Sequence, residues 1–94
     1  MKRFQIIAPN GDECSAIWAD KNKTILQSWS GKRFQWESFP VRFCMIDERC
    51  ILDMATADNP IINKSANKIE FKDGTIFARE PRLNKYRKIR KRLF

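Results

Sequence analysis

The chain has 94 residues, 43% of them apolar and 32% charged, which fits one small domain and excludes wholesale disorder. Nineteen Lys and Arg stand against eleven Asp and Glu, a formal charge of +8 that favours polyanionic partners. There is no His, so Ser-His-Asp and Cys-His catalysis are excluded.

Residues 3 to 8 (Arg-Phe-Gln-Ile-Ile-Ala) read as a first strand, stopped by the turn cluster Pro9-Asn10-Gly11-Asp12. The first nine residues lack the apolar run of a signal peptide. Residues 13 to 19 alternate with Cys14, Ala16 and Trp18 on one side, a second strand. Thr24 to Trp29 is β-branched at its start and ends at Ser30-Gly31, so it reads as a third strand forming a hairpin with the second. Trp29 to Phe43 holds five of the eleven aromatics, interleaved with Lys32, Arg33 and Arg42. In an extended segment Phe34, Trp36 and Lys32 share a face, an arrangement that can stack unpaired bases beside a cationic track, although core packing uses the same residues.

Val41–Ile46 and Arg49–Met54 are short apolar runs flanking Asp47-Glu48, the pattern of an interior hairpin. Residues 55 to 67 read as a loop anchored by Ile61 and Ile62. Lys68–Lys72 and Thr75–Ala78 flank Asp73-Gly74, which predicts a tight hairpin with a type I′ turn.

The charge is not evenly spread. From Arg79 onward there are eight basic residues, Arg79, Arg82, Lys85, Arg87, Lys88, Arg90, Lys91 and Arg92, against the single acid Glu80. Residues 1–78 are close to neutral, so the chain divides into a β-rich domain (1–78) and a basic C-terminal arm (79–94) joined at Pro81. Wound as a helix, residues 82 to 93 gather Leu83, Tyr86, Ile89, Leu93 and Phe94 within an arc of about 140°. The expected fold is therefore α+β: a small, mainly antiparallel sheet or barrel of five to seven short strands with a C-terminal basic amphipathic helix.

Cys14, Cys44 and Cys50 form no C-x-x-C pair and read as buried reduced thiols, which points to a cytoplasmic protein with no metal and no cofactor. No window approaches the roughly 18 apolar residues of a membrane-spanning helix. Catalytic residues are not identifiable. Glu70-Phe71-Lys72 with Asp58 upstream has the Glu-x-Lys form of metal-dependent nucleases, but chance supplies about one Glu/Asp-x-Lys match in a chain of this composition.

The expected function is non-enzymatic binding of nucleic acid by an accessory or regulatory protein, with the eight cations from Arg79 to Arg92 on phosphates and Phe34, Trp36, Lys32 and Arg33 as stacking or cationic support. The alternative is a phage or mobile-element type of protein whose basic segment occupies an acidic groove on a host protein. A compact nuclease is a third, minor reading.

Overall fold

In the computed structural model the described residues are 2–8, 11–35 and 45–90, with the side chain of Phe34 excepted. They form one antiparallel sheet of nine strands: β1 (Phe4–Ile7), β2 (Glu13–Trp18), β3 (Ile25–Ser28), β4 (Arg33–Gln35), β5 (Met45–Ile46), β6 (Ile61–Lys64), β7 (Lys68–Phe71), β8 (Ile76–Glu80) and β9 (Lys85–Arg90). A seven-residue helix, α1 (Glu48–Met54), lies mid-chain. The spatial order is β4-β3-β2-β1-β5-β9-β8-β7-β6, so two meanders of four strands meet at the two-residue β5. Ile46 pairs with Ile6 on one side and Tyr86 on the other.

Three of the hairpin turns share one device. Gly11, Gly31 and Gly74 have φ of 91°, 95° and 95°, and each donates its N–H to the carbonyl three residues back, Ala8, Ser28 and Phe71. Asp73 does not share the positive φ, so the turn before β8 is not type I′. It is a three-residue loop ending on a left-handed glycine, closed by Phe71 donating to the Thr75 carbonyl at 2.9 Å. The Asp73 carboxylate accepts from the Thr75 N–H, which keeps it in the turn without a left-handed backbone. Between β2 and β3 the Asp20 carboxylate does this work, accepting from the backbone of Thr24 and Ile25 at 2.9 Å each and from the Thr24 hydroxyl at 2.6 Å.

One face of the sheet is apolar. Phe4, Ile6, Leu26, Ile46, Ile69, Phe71 and Phe77 are buried together, with Cys50 and Ile51 of α1 packed against them. Phe71 and Phe77 meet edge to face at 6.0 Å, as do Phe4 and Trp18 at 6.2 Å. Each fully buried Ile, Leu or Phe contributes about 1.5–3 kcal/mol of burial energy. Asp47 caps the helix, accepting from the Cys50 N–H at 2.9 Å while its other oxygen accepts from the Gln5 N–H of β1. At the far end, Asp53 is 2.9 Å from the Lys2 amine and 3.6 Å from that of Lys23, and Lys23 also donates to the Asp53 carbonyl.

Several expectations are overturned. There is no C-terminal helix over the described residues: 85–90 are β9, paired with β8 and β5. Pairing supplies the backbone partners, and alternation buries Tyr86 and Lys88 while Lys85 and Arg87 face outward, so the apparent helical arc is a coincidence of composition. The sheet has nine strands rather than five to seven, because β4, β6 and β9 are added from residues not read as strand while 49–54 is lost to α1. The interior hairpin is also absent: Arg49–Met54 is helical, since Asp47 offers a cap and Cys50, Ile51 and Met54 fall on one helical side. Residues 41–44 of that expected hairpin lie outside the described residues.

Candidate polyanion-binding surface

The basic segment is built on the β8–β9 hairpin. Pro81 follows Glu80 and ends β8; Leu83 donates to the Glu80 carbonyl at 3.2 Å, and Asn84 completes the turn at φ 52°. Asn tolerates this conformation better than most residues, and its side-chain oxygen also accepts from the Arg79 guanidinium at 3.2 Å. The register runs Glu80 opposite Lys85, Ala78 opposite Arg87 and Phe77 opposite Lys88, then slips between Ile76 and Phe77, leaving Ile89 as an extra residue beside Arg90.

This register separates the predicted cations into groups. Arg82 sits at the hairpin tip with its side chain 90% exposed, 3.5 Å from Glu80. Arg87 reaches the other Glu80 oxygen at 3.3 Å, so two arginines share one carboxylate. Arg90 donates to the Gly74 carbonyl at 2.9 Å and lies 3.4 Å from Glu70. Ion pairs of this exposure contribute only about 0–1 kcal/mol each and exchange readily for phosphate. Lys88 differs, being only 6% exposed and opposite Phe77 on the apolar face. Lys91 and Arg92 lie outside the described residues.

Beside the turn end of the hairpin is an open cleft of about 510 Å³ between α1, β6 and β9. The Tyr86 hydroxyl donates to Glu48 at 3.3 Å, Lys64 approaches the same carboxylate oxygen at 3.1 Å, Arg49 lies 3.6 Å from Asp47, and Arg79 and Asn84 also line the wall. Burial raises the Tyr86 hydroxyl above its ordinary pKa, and the Glu48 carboxylate adds to the effect. The sequence offers no sign that Glu48, Arg49 and Lys64 belong together with the basic segment. They come from a helix and a strand brought near β9 only by the tertiary fold.

The aromatic segment is partly described. Lys32 and Arg33 are exposed, Arg33 donating to Gln27 at 3.1 Å, and the backbone of Phe34 pairs with Leu26. Trp36 lies outside the described residues, as do Phe39, Arg42 and Phe43. The Glu-x-Lys pair separates: Glu70 is engaged by Arg90, while Lys72 lies beyond the end of β7 with its N–H donated to Pro60. Among the described residues no three His, Cys, Asp or Glu side chains gather as a metal site. Cys50 is buried, and burial, with Asp12 nearby, raises the Cys14 thiol above its ordinary pKa, against the opposing pull of Lys32. No helix among the described residues is long and apolar enough to cross a membrane. Comparison with protein-family models, with curated proteins and with solved structures finds no match to this chain.

Proposed function

We propose that the protein binds nucleic acid without catalysing a reaction, using the cations of the β8–β9 hairpin and the neighbouring cleft on backbone phosphates. One observation carries the reading: between residues 79 and 90 five cations that are not buried, Arg79, Arg82, Lys85, Arg87 and Arg90, stand on two paired strands and the turn between them against a single carboxylate, Glu80, which two of them share. Strand pairing fixes the backbone of these cations before any ligand arrives, which lowers the ordering cost of binding. Lys64, Arg79 and Arg49 line the neighbouring cleft, where Lys64 pairs with Glu48 and Arg49 with Asp47. Phosphates recruited here would displace weak surface pairs and release counterions, giving affinity that falls steeply with salt.

The test is a titration of generic single- and double-stranded oligonucleotides, followed by fluorescence anisotropy between low and moderate salt. The double variant Arg82→Ala/Lys85→Ala changes only side chains at or beside the tip. It should weaken binding to all sequences alike and lower the log-affinity against log-salt slope by about 0.7–0.9 per cation removed. Unchanged affinity and slope in that variant, or no binding by the unaltered protein at low salt, would overturn the reading.

A further inference from the structure

Trp29 is 63% exposed, although Trp is costly to leave in water and the core lies one strand layer away. Its position explains the exposure. Alternation in β3 turns Leu26 and Ser28 inward, so Trp29, in the β3–β4 turn, follows the parity of Gln27 on the outer face. Its backbone is fixed by donation of its N–H to the Ser15 carbonyl at 3.0 Å. The Arg3 guanidinium lies 4.4 Å from the ring centroid, covering one side of the indole.

The surroundings are those of a surface that meets a polar ligand. On the outer parity of β1 to β4 the half-buried Ile7, Ile17 and Ile25 alternate with Gln5, Ser15, Gln27 and Arg33, polar groups that bond one another in pairs and can exchange those bonds for base edges. Gln5 and Ser15 are 3.0 Å apart, as register partners. Cations continue from here toward the hairpin: the Arg49 guanidinium donates to the Arg3 carbonyl at 2.7 Å, and Arg49 lines the cleft with Lys64 and Arg79, Arg49 and Lys64 pairing there with Asp47 and Glu48 at 3.6 and 3.1 Å. An apolar protein partner would have to strip the Arg3 and Arg33 guanidinium groups of water. An unpaired base needs only a flat ring with cations beside it.

We infer that Trp29 is a base-stacking site, and that the protein's ligand is single-stranded nucleic acid laid from the β8–β9 hairpin past Arg49 to the Arg3–Trp29 pair. This rests on the nucleic-acid reading above and narrows its substrate class, because bases inside a duplex present no free face to an indole.

The experiment measures binding of a short oligothymidylate, and of a duplex of equal length, to the full chain and to Trp29→Ala, Trp29→Phe and Arg82→Ala/Lys85→Ala. Trp29→Ala should lose about 5- to 100-fold in affinity for the single strand, Trp29→Phe much less, and neither should change the salt slope. Quenching of tryptophan fluorescence by oligothymidylate should shrink in Trp29→Ala. Circular dichroism and thermal unfolding confirm that each variant is folded. Salt-sensitive binding of the single strand that Trp29→Ala leaves within twofold of the unaltered protein, or equal loss on the duplex, would overturn the stacking site and leave the phosphate reading standing. Absence of binding to either ligand would overturn both.

Discussion

The Tyr86 hydroxyl donates to the Glu48 carboxylate at 3.3 Å, tying the interior strand β9 to the first turn of α1 across 38 residues of sequence. Tyr86→Phe removes this contact and should lower stability by about 0.5–1.5 kcal/mol in urea unfolding. Because burial and Glu48 raise the folded pKa of Tyr86 above the unfolded value of 10.0, the unfolded chain gives up the proton first as pH rises. The associated stability is fully present below that pH and is lost as pH climbs through the folded value. Urea midpoints measured from pH 8 upward should fall more steeply above about pH 10 for the unaltered protein than for Tyr86→Phe. Parallel curves would refute this.

Acid should act at the two carboxylates that hold the β2–β3 turn and the helix end. Burial would raise Asp53, but Lys2 and Lys23 outweigh it and hold the carboxyl below its ordinary value; Thr24 does the same for Asp20 through its hydroxyl, aided by backbone N–H groups. Both folded values are depressed, so their stabilisation is present above the unfolded pKa of 3.8 and is lost as pH drops through the folded value. Asp53→Asn should cost about 1 kcal/mol at neutral pH and flatten the acid limb of the stability curve below about pH 4. A variant whose acid limb matches that of the unaltered protein would count against the Lys2–Asp53–Lys23 cluster.

Cations of the basic segment should divide by strand parity. Lys88, buried opposite Phe77, packs its stem in the core, and Lys88→Ala should cost about 1–3 kcal/mol, whereas Lys88→Met should recover part of the loss. Arg82→Ala at the exposed tip should stay within about 0.5 kcal/mol. Thermal unfolding of the three variants decides the matter, and equal losses for Lys88→Ala and Arg82→Ala would contradict the register.

Where local chemistry and tertiary pairing agree, the elements are legible in the residues. The strands expected at 3–8, 13–19 and 24–29 correspond to β1, β2 and β3, and the Asp73-Gly74 hairpin joins β7 to β8. The failures lie where a local signal has two readings. Tyr86 and Ile89 fit a helical arc as well as a strand, and only β5 and β8 on either side decide for the strand. Cys50, Ile51 and Met54 span less than two helical turns, too few to outweigh a short apolar run read as strand. Of the candidate surface, the cations from Arg79 to Arg90 are visible as a charge block. Arg49, Lys64 and the Arg3–Trp29 contact are not, because each depends on elements that are distant in sequence and meet only in the folded chain.

The two-residue β5 has a kinetic consequence. Each four-stranded half is stitched by hairpins between sequence neighbours, whereas Ile46 meets Ile6 and Tyr86, each 40 residues away. Loop closure makes such distant pairing the slow, late step, while hairpins form locally and early. Ile46→Val, costing about 0.5–1.5 kcal/mol, should therefore accelerate unfolding while leaving the refolding limb of the chevron nearly unmoved. A slowed refolding limb would instead place this seam in the folding nucleus. If the halves form first, β5 acts as the zip that closes them, and transient opening at Ile46 would let the two meanders separate without either one melting.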